Sequence, residues 1–151
     1  MKSTFKTRTA RRLLPLAAAL LALGTLSATT SIESASAATG DWTQYNWDSD
    51  MHVGDCTMFG GAHWTLHSNG TAEFDGTVTS SSNNDAWLMW AELRDGNNAV
   101  LARINSGNPS DWGKFVENLP DKSRRYRWFA TGTFDKNLYP LIDHMVLSKH
   151  C

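Results

Sequence analysis

Several features that announce a function are missing from this sequence. Its longest apolar run, Leu13 to Leu26, is about 14 residues, short of the ~20 that a membrane span requires. Beyond that run no stretch keeps a helical period over a useful length, and no internal repeat is seen. Cysteine is scarce. Only Cys56 and Cys151 occur, and neither directly follows the small-residue motif Ala35-Ser36-Ala37, which argues against a lipoprotein anchor. Positive charge is also scarce where it would count. Five of the 14 lysines and arginines (Lys2, Lys6, Arg8, Arg11 and Arg12) fall in the first 12 residues. From residue 38 onward, 9 basic and 14 acidic side chains leave a net charge of −5. That balance argues against general nucleic-acid binding, which needs a basic surface.

What stands at the N-terminus is a pattern for export. A basic start, the Ala/Leu-rich core Leu13 to Leu26 and the Ala35-Ser36-Ala37 site read as a secretory signal peptide over residues 1–37. Cleavage after Ala28 is the other option. Arg11-Arg12 hints at twin-arginine export, but Ala10 before the pair and Pro15 after it fit that route badly, so general secretion is preferred. The remainder, residues 38–151, is one domain's worth of chain. It is expected to be extracellular, with no membrane anchor once the signal is removed.

The organising stretch of that domain is AHWTLHSNGTAEFDGTVT, residues 62–79. Trp64 and Leu66 alternate with His63, Thr65 and His67; on the return, Ala72, Phe74 and Val78 alternate with Thr71, Glu73, Asp75 and Thr77. Facing residues of a hairpin share one side of the sheet. The pattern therefore pairs Trp64 with Phe74 and Leu66 with Ala72, leaving Ser68-Asn69-Gly70 as a three-residue loop. Such a loop wants a left-handed residue last, and Gly70 is there. A two-residue Asn-Gly loop would set Leu66 against Glu73 and Trp64 against Asp75, a poor match.

The same reasoning extends along the chain. A short strand is expected at Gln44–Trp47 and another from Val53 to Phe59, carrying Cys56. The run from Trp87 to Arg94 is a strong strand, turning at Asp95–Asn98 into Ala99–Ile104. Pairing Leu93 with Val100 and Ala91 with Ala102 gives a Gly96-Asn97 turn and sets Trp90 opposite Arg103, a cation–π geometry. Lys114 to Asn118 reads as either a short helix or an edge strand. Arg124 to Asp135 alternates, with Phe129 the exception, and Tyr139 to Ser148 closes the chain as a strand. Repeated short hairpins predict an all-β, antiparallel single domain, a small barrel or sandwich. All seven tryptophans lie in it, a means of filling a thin core. A disulfide between Cys56 and Cys151 is the default for a secreted chain. On the chain-entropy account it contributes about 4–5 kcal/mol.

At this point a resemblance enters. HVGDCTMF, HWTLHSNGTAEFDGTV, NDAWLMW, YRWFATGTFD and the closing LSKHC resemble small secreted actinobacterial (Streptomyces-like) proteins of unassigned function, over nearly the whole span 38–151. The resemblance implies a secreted single-domain product of a high-GC Gram-positive bacterium and transfers no catalytic role. The hairpin also looks like those of the avidin and lipocalin barrels, a fold likeness alone.

Five groups of residues invite a chemical reading. His63 faces Asp75 across the hairpin, a pair able to orient a general base, although no serine or cysteine elbow accompanies it; a solvated hairpin face is the plainer reading. His63 and His67 stand four residues apart, about 13 Å along a strand, too far to share one zinc ion, so no metal site is assigned. Asp48, Asp50 and Asp55 lack the glycine and distal glutamate of a calcium loop. Arg125 and Arg127 share a face within the one basic cluster, RRYR, where they can receive a carboxylate, phosphate or sulfated glycan or simply guard a strand edge. Trp42, Trp47, Trp90 and Trp112 fall in loops or on the less buried face, where aromatic rings stack on sugars or anchor protein partners, or cap a small core. The expectation is a monomeric, non-catalytic binding module for a glycan, small ligand or protein, without cofactor. The alternatives are a small extracellular hydrolase using His63 and Asp75, and an inhibitor or toxin-like effector of another secreted protein.

Overall fold

The computed structural model describes residues 41–151, together with the backbone of residues 3–5 and 8–9. The expected cleavage sites after Ala28 and Ala37 and the apolar signal core lie outside the described residues. The described residues form twelve strands: β1 (Ser3–Phe5), β2 (Arg8–Thr9), β3 (Trp42–Trp47), β4 (Met51–Val53), β5 (Cys56–Met58), β6 (Ala62–His67), β7 (Thr71–Ser80), β8 (Asp85–Arg94), β9 (Val100–Arg103), β10 (Phe115–Leu119), β11 (Tyr126–Thr133) and β12 (His144–His150). All pairings are antiparallel, and two curled sheets form a half-barrel, so the all-β architecture is established.

The two sheets share one plan. Each is built on a ten-residue strand, β7 or β8, with one long partner on one edge and two short partners sharing the other. In the first sheet β12 flanks β8 on one side, while β10 and β9 divide the other. In the second, β11 flanks β7 on one side, while β6 and β5 divide the other. β7 and β8 are consecutive in the chain, so the turn at 81–84 passes it from one sheet to the next.

The organising hairpin forms as its parity requires. Trp64 pairs with Phe74 and Leu66 with Ala72, and Gly70 takes φ +90°. A Cβ there would also meet the Phe134 carbonyl oxygen at 2.6 Å, so two constraints favour glycine. The buried side chains of the pair face a core in which Phe115, Trp64, Phe74 and Trp128 make a chain of tilted and edge-on ring contacts, 5.0–5.3 Å between centroids. Phe115 belongs to the β8 sheet and the other three to the β7 sheet, so this chain of rings joins the layers. With Trp47 and Trp87 also fully buried, the interior is packed with aromatic side chains.

Four local expectations are corrected. The β8–β9 register is shifted by one at the turn, where Arg94 pairs with Val100, and by two beyond a bulge at Leu93/Arg94, where Leu93 pairs with Ala102 and Glu92 with Arg103. Asn98 adopts φ +66°, Asp95 exchanges backbone bonds with Asn98 and Ala99, and the Asp95 carboxylate accepts from the Asn97 and Ala99 amides. The loop is thus the same three-residue type as at Gly70, with asparagine in the left-handed place. The segment Val53–Phe59 is not one strand, because Gly54, at φ +53°, reverses the chain between β4 and β5. The last strand starts at His144, after a 3₁₀ turn over Lys136–Leu141 capped by the Asp135 side chain. Trp47 is buried rather than displayed. Of Lys114–Asn118, the part from Phe115 onward forms strand, in β10, with Lys114 just before it.

Cys56 and Cys151 are bonded, with Cα atoms 5.9 Å apart. Cys56 opens β5 and Cys151 follows β12, so the bond ties one sheet to the other. Such a bond belongs to an oxidising environment. No helix among the described residues is long and apolar enough to cross a membrane.

Candidate functional site

The outward face of the β7 sheet collects most of the polar candidates. Register places Asn46 (β3), His63 (β6), Asp75 (β7) and Phe129 (β11) in one row across four strands. The next row runs Gln44, Thr65, Glu73 and Thr131. Arg127 opposes Thr77 on the other side of the first row, one diagonal step from Asp75. This parity is inherited from the hairpin: once Trp64 and Phe74 point inward, these side chains face out.

The expected facing of His63 and Asp75 is present in the register, yet their side chains turn to other partners. Arg127 donates to both carboxylate oxygens of Asp75, at 2.8 Å from Nη2 and 3.3 Å from Nε. His63 Nδ1 lies 3.1 Å from the Gly61 carbonyl oxygen. The hydrogen bonds from Arg127 hold the Asp75 carboxyl below its ordinary range, with the Arg127 charge and a smaller contribution from His63 adding to them against partial burial. A carboxylate gripped from two sides by guanidinium is a poor orienting partner for an imidazole base. Around these three side chains, with Gly60, Gly61 and Thr77, lies a shallow depression of about 290 Å³.

Two aromatic rings complete the surface. The Arg127 guanidinium sits 4.6 Å from the centre of the Phe129 ring, and Arg125 sits 4.2 Å from that of Phe59. Phe129 is 63% exposed. The arginines were legible in the sequence; the rings beneath them were not, although Phe129 stood out as the break in the alternation of its strand.

Trp90 and Trp112 lie elsewhere. Trp90 donates its indole N–H to Asp111 at 2.9 Å, and with the corrected register Arg103 pairs with Glu92 at 3.2 Å instead of facing Trp90. Trp112, on the loop between β9 and β10, is 61% exposed. It borders a separate depression shared with Leu101, Arg103 and Phe134. The structure therefore divides the sequence candidates between two surfaces. His63, Asp75, Arg125 and Arg127 share the first, and Trp90 and Trp112 the second.

As for metals, the grouping among the described residues with ligand spacing is Cys56, Asp85 and Cys151. Both sulfurs are committed to the disulfide. Asp85 Oδ2 lies 3.0 Å from Cys151 Sγ and 3.5 Å from Cys56 Sγ. A disulfide sulfur carries no proton, so these are contacts, and the carboxylate takes its hydrogen bond from Ser80 Oγ at 2.8 Å. Of the three early aspartates, Asp50 accepts from the Gly60 amide and Asp55 from Ser82 Oγ.

The fold and this surface define a disulfide-tied β half-barrel that displays a cation–carboxylate–aromatic face. Residues 63–151 match a family of unknown function, DUF6294, and the chain belongs to that family. The match takes in β7 to β12 and Cys151 and begins one residue into β6. No curated protein and no solved structure matches the chain.

Proposed function

We propose that the chain is a secreted, non-catalytic binding module whose ligand surface is the outward face of the β7 sheet around Arg127 and Phe129. One observation carries this reading: the two-point grip of Arg127 on Asp75 above an exposed ring. It leaves a preorganised cation and aromatic surface and takes the carboxylate away from His63. The interior is filled by tryptophan and phenylalanine, so a ligand held inside, in the manner of avidin or lipocalin barrels, has little support; a surface site has more. Secretion accords with the disulfide and the N-terminal export pattern, and actinobacterial origin with the sequence resemblance. Trp112 and its neighbours, together with Trp90, form a secondary candidate surface.

The test is calorimetric titration with sulfated and neutral polysaccharides and with extended acidic peptides. Arg127→Ala and Phe129→Ala should each weaken the ligand that binds by about tenfold, with the melting temperature lowered by only about a few degrees, while His63→Ala leaves binding intact. Hydrolysis of ester or glycoside substrates that disappears in His63→Ala with the fold intact would replace this reading with the hydrolase alternative.

A further inference from the structure

The parity of β11 decides which of its backbone groups are already used. Thr133 exchanges two hydrogen bonds with Asn105, at 2.8 Å and 2.9 Å. Its N–H and C=O therefore point away from β7. Backbone groups alternate sides along an antiparallel strand, so Arg127, Phe129 and Thr131 also aim theirs away from β7. No hydrogen bond among the described residues occupies them. The Asn105 bridge is the first step of a strand that goes no further. The Ser106 amide turns to the Trp112 carbonyl at 2.6 Å, and Gly107 takes φ +76°.

This open edge is one wall of a cleft of about 560 Å³. The opposite wall is β10, whose own outer edge is also unpaired among the described residues, with the loop at Asn108 and Pro109. Trp128, Ala130 and Phe115 supply apolar lining. A cleft with two walls admits one extended strand more readily than the edge of a second folded sheet. Its charge is also directional. Lys114 lines it, Arg127 is exposed on β11 and Arg125 just before it, and the carboxylate lining it, Glu117, is pushed toward its neutral form by burial.

We propose that this cleft receives an extended acidic peptide, which joins β11 as an added antiparallel strand through the backbone groups of Arg127, Phe129 and Thr131. The proposal rests on the binding-module reading and names its partner class. Main-chain bonds give the affinity, and alternate side chains give the selectivity. Residues of the peptide facing Trp128 and Ala130 are small and apolar, and those beside Arg125 and Arg127 are acidic.

The probe is a fluorescently labelled hexapeptide alternating aspartate and valine, followed by anisotropy with the full chain. Binding is expected, weakened about tenfold or more when alternate amides of the probe are N-methylated and when lysine replaces aspartate. Thr131→Pro removes one outward N–H but no bond to β7, a position where proline is tolerated; it should cut affinity by a similar factor with the strand signature of circular dichroism retained. If that variant misfolds, the N-methylated probes on the native protein decide alone. Equal binding of the methylated probes overturns strand addition. Equal binding of the lysine probe overturns the acidic preference. No binding of the aspartate probe, with a sulfated polysaccharide bound through Arg127, overturns this inference and leaves the binding surface standing. Loss of all binding by every probe overturns both. Self-association by sedimentation that Thr131→Pro abolishes would assign the edge to a second copy and also overturn it.

Discussion

Two arginine–carboxylate clusters face outward from the two sheets, and they differ in how much water they keep. On the β8 sheet, Glu92 holds Arg94 at 2.6 Å and Arg103 at 3.2 Å, and its side chain is 8% exposed. Arg94 continues to Asn98, whose side-chain oxygen lies 3.1 Å from His144 Nε2. On the β7 sheet, Arg127 and Asp75 are 2.8 Å apart, but Arg127 is 66% exposed. Both carboxyls are held low, each chiefly by the hydrogen bonds of its arginine. The chemistry is the same and the burial is not. A buried pair is costly to break, because one charge is left without water or partner; an exposed pair contributes little to stability and keeps its groups free to meet a ligand.

The comparison breaks most sharply at Glu92. Glu92→Ala should destabilise the fold by about 3–5 kcal/mol, read from the urea midpoint. A cost below that of the surface pair would remove the contrast. Next comes acid. Both carboxyls are depressed, so each contributes stability that is present above the unfolded-state carboxyl range and lost as pH falls through its lowered folded value. Melting temperature followed from neutral pH downward should therefore fall on the acid side, and less steeply in the Glu92 variant than in the native chain. Asp75→Asn should flatten the curve only slightly.

A third carboxylate, Asp85, has two sulfurs where the others have arginine. A thiolate reductant must approach against its charge, so Asp85→Asn should speed disulfide reduction by dithiothreitol by about tenfold at most. Reduction by a neutral phosphine should change less. Equal acceleration by both reagents would show that the substitution only loosened the local packing. The smallest effect belongs to Arg127→Ala, whose stability cost should stay within about 1 kcal/mol while ligand affinity falls.

The parts of this architecture that were readable in the sequence are those governed by neighbours in the chain. The Trp64–Phe74 hairpin followed from alternation and one glycine. The β8–β9 turn misled because Asn98 took the left-handed place that glycine usually marks, and that turn together with the bulge at Leu93/Arg94 moved Arg103 from Trp90 to Glu92. The basic cluster was visible, but its use was not. Arg127 meets Asp75 across 52 positions of sequence, through a β7–β11 register that no local pattern specifies. The Glu92 cluster was missed in two parts: Arg103 reaches Glu92 through the misread β8–β9 hairpin, and His144 arrives on β12, a strand paired with β8 at long range.

The bond between Cys56 and Cys151 has a consequence for wear. A chain exported as proposed above meets proteases, and the loop carrying Trp112 is one of its exposed connections. That loop lies inside the covalent ring closed by the disulfide. A single cut there leaves both fragments chained together, with the ring contacts among Phe115, Trp64, Phe74 and Trp128 still available to hold them in place. Nicked molecules should migrate as intact on a non-reducing gel and separate only after reduction, giving the half-barrel a tolerance to damage that neither sheet has alone.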